Sequence, residues 1–162
     1  MGNFHTDVLL RVKGGGDPKK VFNDLKLLEP GTRAAVMGIL ADAKAAGLDI
    51  KPLETFRSQT RQEFLFKKGA TKLRKVGTHG YGLACDFGVF VNGKYQGSAK
   101  AYQILVALCM KHGLISGIDW GEPNRSNRFV DAGHVQRIPV SRQSELFAGR
   151  FYPPANYNPR GK

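Results

Sequence analysis

Cysteine, acid and long apolar runs are what this sequence has little of. Its 162 residues include two cysteines, Cys85 and Cys109, too few for a disulfide framework. Each has apolar neighbours, Phe87 and Val89 near one, Leu108 and Met110 beside the other, so both read as buried free thiols. No stretch approaches the ~18 to 20 apolar residues of a membrane-spanning helix. Residues 1–16 lack the continuous apolar core of a signal peptide, so the expectation is a protein made in the cytoplasm without one. Repeats and low-complexity tracts are missing too. The length suits one domain over 1–162, with residues 1–16 as an N-terminal extension and 152–162 as an irregular tail.

Acid is scarce in a way that matters. Thirteen Asp and Glu face 25 Lys and Arg, a net charge of +12. Such an excess favours anionic partners. The densest run holds Lys67, Lys68, Lys72, Arg74 and Lys75 with no acid among them. It reads either as a surface for a polyanion (nucleic acid, an anionic lipid surface or the acidic polymers of a bacterial envelope) or as a solvated loop. Nucleic acid is not expected, because no recognition motif with interleaved aromatics is present.

Patterning places helices early and strands later, which argues for an α+β fold over repeated βαβ units. A short strand is expected over residues 8–12, followed by a Gly14-Gly15-Gly16 joint. Asp17-Pro18 opens a predicted helix to Leu28, and Glu29-Pro30-Gly31 interrupts it. A second helix spans residues 32–46, with Gly47 as its stop. A strand over 50–56 and a helix over 59–68 follow, the helix burying Phe64 and Leu65. A strand over 83–91 turns at Asn92-Gly93 into a hairpin. Ser98 caps a helix through His112; 114–128 reads as loop, 129–138 holds a strand, and Ser141 starts a last short helix.

The four histidines are His5, His79, His112 and His134. His112, in the last turn of a predicted helix, reads as structural, and His5 lies near the chain end. The other two each accompany a carboxylate. In the strand after His79, period two puts Leu83, Cys85, Phe87 and Val89 on a core face and Asp86 opposite them. Gly80 and Gly82 allow the backbone to turn so that His79 reaches the same place. In Asp131-Ala-Gly-His134-Val-Gln136, Val135 faces the core and His134 the other side. Two imidazoles and one carboxylate are the donors of a catalytic zinc site with a fourth position open, and Asp131 is left to serve as a base. Either cluster alone also admits a structural role, since a strand aspartate often caps a turn. The helical His-Glu-x-x-His of many metallopeptidases is absent.

The run His79-x-x-Gly82-x-Ala84-x-Asp86 resembles the H-x-x-G-x-A-x-D signature of a zinc peptidase family. That family includes D-Ala-D-Ala carboxypeptidases, vancomycin-resistance dipeptidases and phage L-alanyl-D-glutamate endolysins. The serine usual two places before the histidine is Gly77 here. Phe56-Arg57-Ser58 with Gln62 and Leu65 is similar to the family's aromatic-Arg-Ser segment. Gly117-Ile-Asp119-Trp120 and Phe129-Val130-Asp131-x-x-His134-Val-Gln136 resemble elements of the phage endopeptidase branch.

The resemblance implies a small antiparallel sheet carrying a zinc site and flanked by helices, as in hedgehog and DD-peptidase folds. It implies Zn2+ on His79, Asp86 and His134 and Asp131 as general base; a nearby cation would face the oxyanion or a substrate carboxylate, and Arg57 is the candidate, its alternative being a structural salt bridge. Asp119 and Trp120 would buttress the site or merely pack. The implied partner is bacterial peptidoglycan, cut at L-Ala–D-Glu by a monomeric phage lysin acting at the host wall. The alternatives are a D-Ala-D-Ala carboxypeptidase and a zinc-containing binding domain without catalysis.

Overall fold

A computed structural model describes residues 2–71, 73–75, 77–117 and 132–160. Its centre is the strand β2 (Ala84–Val91), whose core-facing side chains alternate as the period-two pattern requires. Antiparallel partners flank it: β1 (Asp49–Glu54) on one side and β5 (His134–Gln136) on the other, with β4 (Ile115–Ser116) beyond β5. The hairpin strand β3 (Lys94–Tyr95) pairs with the end of β2. Asn92 at φ 51° and Gly93 at φ 76° make the left-handed turn that joins them.

One face of this sheet is covered by α2 (Pro30–Ala45) and α4 (Gln103–Lys111). Val36, Ile39 and Ala43, at helical spacing on α2, meet Cys85, Phe87 and Val89 of β2, Val135 of β5 and Leu105 and Cys109 of α4. The other face carries Asp86 and His134. The fold is therefore mixed α and β, with a small open antiparallel sheet flanked by helices.

Glu29-Pro30-Gly31 is no interruption. Glu29 is the N-cap of α2: its carboxylate accepts from the Gly31 and Thr32 backbone N–H groups and the Thr32 hydroxyl, with Pro30 in the first turn. The helix expected from Asp17 does not form. Asp17 and Asp24 spend their carboxylates on turns, accepting from Lys19 N and Lys26 N. The Phe22 carbonyl is committed to Thr55, and only a 3₁₀ turn, Leu25–Leu27, remains.

The strand expected over residues 8–12 is likewise absent. A capping box between Asn3 and Thr6 starts a one-turn helix, α1 (Phe4–Asp7), and a 3₁₀ turn, Leu9–Arg11, follows. Leu9 is buried with Phe22 and Phe56, which ties this segment to the body.

Three other expectations need adjustment. In α3 (Gln59–Lys67) Phe64 and Leu65 are only partly buried; Gln62 is the buried residue, because it is bonded at both ends of its amide. The helix after Ser98 splits into a 3₁₀ turn, Ala99–Tyr102, and α4, and the 114–128 stretch begins with β4. A 3₁₀ turn, Val140–Arg142, leads into α5 (Gln143–Phe147). The tail has irregular backbone but is held: Arg137 donates to the carbonyls of Pro154, Ala155 and Tyr157.

Candidate metal site

Strand register brings the predicted ligands together. Across the β2–β5 pair, Asp86 stands opposite His134, Cys85 opposite Val135 and Ala84 opposite Gln136. His79 arrives from a 3₁₀ turn, Thr78–Tyr81, that ends in Gly82 at φ 74°. A side chain at Gly82 would also press on the backbone of Leu27 and Glu29, at 3.2 and 3.1 Å. Gly133 has a similar constraint, since a Cβ there would lie 2.5 Å from the Phe87 carbonyl oxygen. Glycine at these two places lets both histidines approach the strand.

His79, Asp86 and His134 each offer one ligand atom, and these atoms lie within 4.8 Å of one another. Both histidines are 5% exposed, so their imidazoles are fixed by protein partners. His79 Nδ1 is 2.8 Å from the Thr55 carbonyl oxygen. A carbonyl only accepts, so Nδ1 carries the proton and the Nε2 lone pair faces Asp86 Oδ1 at 3.1 Å.

His134 is fixed by the same logic from the opposite ring edge. Gln136 Nε2 donates to the Ile138 carbonyl, which leaves Oε1 to accept from His134 Nε2 at 2.8 Å. Thr78 Oγ1 donates to that same oxygen at 3.3 Å. His134 Nδ1 then faces Asp86 Oδ1 at 3.0 Å. The ring centroids are 5.0 Å apart and nearly perpendicular, at 75°.

Two imidazole lone pairs and a carboxylate oxygen aimed at one another repel unless positive charge lies among them. Protons on both rings or one metal ion satisfy that need. Without a metal, burial pushes the Asp86 carboxyl up, but the His79 charge and hydrogen bonds from both rings outweigh it and hold it well below the usual carboxylate range. The donor set of two nitrogens and one oxygen, each ring locked by its far nitrogen, fits zinc with a position left open.

Arg57 lies beside the cluster. Its Nη2 donates to Asp86 Oδ2 at 3.3 Å and to Glu54 Oε1 at 2.6 Å, its Nε to Glu54 Oε1 at 3.1 Å, and its Nη1 to Gln62 Oε1 at 3.2 Å. Among the described residues these bonds use four of its five N–H groups, and one on Nη1 remains for a ligand. Its fork is thus engaged by protein carboxylates. Asp131, Asp119 and Trp120 lie outside the described residues, as does Lys72 of the basic run.

Sequence reasoning missed two contributors. Gln136 had a signal, since it is two residues from His134 on one strand and shares its face. Glu54, 5% exposed and bonded to Arg57 and Arg61, had none beyond its spacing to those arginines. The expectation for the cysteines matches the structure: both are buried, and burial pushes the Cys85 thiol well up, which keeps it from nucleophilic work. His112 is structural, 2.7 Å from Asp42 Oδ2.

No family model matches the chain, and no curated protein matches its sequence. Solved structures do resemble it. An L-Ala D-Glu endopeptidase, ChiX of Serratia marcescens, superposes with TM-score 0.56 at 16% identity, over 73% of this chain and 90% of that one. The LD-carboxypeptidase LdcB, whose structure addresses peptidoglycan recognition, gives 0.55 at 17%, over 75% of this chain and 64% of that one. A vancomycin-resistance D,D-pentapeptidase, VanY, in complex with Zn(II), gives 0.52 at 12%, over 75% and 78%. At these identities the likeness establishes a common fold, the one anticipated for DD-peptidase-like proteins.

Proposed function

We propose that the chain is a zinc-dependent peptidase that hydrolyses a peptide-stem bond of bacterial peptidoglycan. The observation that carries this reading is the convergence of His79 Nε2 and His134 Nδ1 on Asp86 Oδ1, with both far nitrogens tied down. Zinc held there would polarise the scissile carbonyl and lower the pKa of water from 15.7 towards ~7.

The chain's own residues supply the rest. The Thr55 carbonyl and Gln136 keep each ring in the tautomer that presents its lone pair. Arg57 turns one free N–H towards a substrate oxygen, a charge-assisted bond that strengthens as negative charge develops. Asp131 takes the proton of the attacking water and passes it to the leaving amine. That role rests on the Asp131-x-x-His134 pattern.

The bond is proposed to be L-Ala–D-Glu. The Gly117-x-Asp119-Trp120 and Phe129-Val130-Asp131 elements support it, and so does the fold shared with an endopeptidase of that name. A net charge of +12 and the exposed cations Lys67, Lys68, Arg74 and Lys75 suit work at an anionic envelope, as a phage lysin would do.

The test is digestion of purified peptidoglycan with mass spectrometry of the fragments, for wild type and Asp131→Ala, with and without chelator. New N-terminal D-Glu on the stems, lost in the variant and on chelation, is expected. Released D-Ala would assign carboxypeptidase action instead. No product from zinc-loaded protein would overturn the peptidase reading in favour of binding alone.

A further inference from the structure

We propose that Glu54 is a positioning residue for the metal site, acting through Arg57 on the carboxylate ligand Asp86. The proposal rests on the zinc reading above and concerns how one ligand is held. Strand register sets Glu54 of β1 directly opposite Asp86 of β2, beside an irregularity between Pro52 and Glu54. Like charges facing each other across a ladder destabilise it. A carboxylate as buried as Glu54, 5% exposed, also needs a cation.

Arg57 answers both needs with one nitrogen. Its Nη2 donates to Glu54 Oε1 and to Asp86 Oδ2, and so bridges the facing carboxylates. Glu54 Oε2 is taken by the Arg61 Nε, so neither oxygen of Glu54 is idle. Two carboxylates and two guanidinium groups make the cluster neutral by count.

The consequence falls on Asp86. Its Oδ2 is occupied by Arg57, and Oδ1 alone faces both imidazoles. With that division Asp86 would offer a metal one oxygen, Oδ1, and leave positions open for water and substrate. Without Glu54, Arg57 loses two of its four bonds, the ones that set the plane of its guanidinium. Oδ2 is then released, and Asp86 can rotate or offer both oxygens.

A purely structural Glu54 would only staple β1 to α3, and the two roles separate experimentally. Zinc affinity is measured on the full chain by competition with a chromogenic chelator, alongside the visible spectrum of the cobalt(II)-loaded protein. Wild type, Glu54→Gln, Arg57→Lys and the double variant are compared, with circular dichroism to confirm folding. Glu54→Gln should weaken zinc binding about ten- to hundred-fold and lower the cobalt band intensity as coordination number rises. Arg57→Lys should do the same, and the double variant should be no worse than the weaker single one. A folded Glu54→Gln with wild-type affinity and an unchanged cobalt spectrum overturns the proposal, as do losses that simply add. If Glu54→Gln fails to fold, wild-type affinity in Arg57→Lys overturns it equally, because Glu54 reaches Asp86 through that side chain. Wild type that binds neither metal would sink the zinc reading itself.

Discussion

Two glutamate–arginine pairs, each on a buried glutamate, hold this fold, and they differ in where their remaining bonds go. Glu29 and Arg137, 3% and 4% exposed, meet at 2.8 Å. Glu29 caps α2, and Arg137 turns its Nη2 to three carbonyls of the tail. Among the described residues, the other bonds of that pair end on backbone or on a neighbouring hydroxyl. Glu54 is nearly as buried and Arg57 partly so, but their bonds run on to Asp86, Gln62 and Arg61. The same chemistry closes the chain in one place and reaches a candidate metal ligand, Asp86, in the other. An ion pair's purpose is read from its third and fourth partners.

Breaking the first pair should cost stability and leave the site alone. Arg137→Met strands Glu29 in a buried position and frees the tail, and about 3–5 kcal/mol of unfolding free energy should be lost. Urea unfolding measures it, and the zinc affinity of the folded protein should hold at the wild-type value. A stability loss below about 1 kcal/mol, as exposed pairs give, would show that the tail clamp is ornamental.

Breaking the second should do the reverse. Arg57→Ala, at saturating zinc, is expected to stay loaded but lose ten-fold or more in turnover on peptidoglycan, about the size of a lost charge-assisted contact. Its unfolding free energy should fall by less than in Arg137→Met, since Glu54 keeps Arg61. Unchanged turnover would remove Arg57 from the site. Gln136→Leu probes the same side more gently. It takes away the acceptor that orders the His134 ring, and about a ten-fold loss of zinc affinity is expected by chelator competition. Equal affinity would mean that His134 is ordered by its other neighbours.

The sequence made one of these regions legible and not the other. The convergence of His79, Asp86 and His134 could be anticipated because a strand has period two and each stood beside small residues; β2, β5, α2 and the Asn92-Gly93 hairpin followed from the same local rules. The Arg137 clamp joins residues 108 positions apart in the chain, Glu29 to Arg137, and no local pattern encodes that. The segment 17–28 misled because Asp-Pro is a helix opener only when the backbone groups after it are not claimed elsewhere. Here Thr55 claims the carbonyls of Phe22 and Asp24. Glu54 was invisible for a similar reason: its meaning depends on the register that sets it across from Asp86.

A third carboxylate cluster extends the comparison to the surface, where the effect should be smallest. Asp42 Oδ2 takes Lys111 Nζ at 2.8 Å and His112 Nε2 at 2.7 Å, joining α2 to the end of α4. The hydrogen bonds from Lys111 and His112 outweigh desolvation and hold the Asp42 carboxyl below its usual value. A carboxylate depressed in the folded state adds stability that is complete above its unfolded pKa of about 3.9. That contribution fades as pH falls towards the lower folded value. Asp42→Asn keeps an acceptor but not the charge. Its melting temperature should lie slightly below wild type at neutral pH, and the two should converge on the acid side of about pH 4. The gap should also narrow with added salt, as it must for a solvated pair. A gap that persists unchanged into acid would mean that Asp42 acts through packing, and the rule that partners define the role would then fail at the surface.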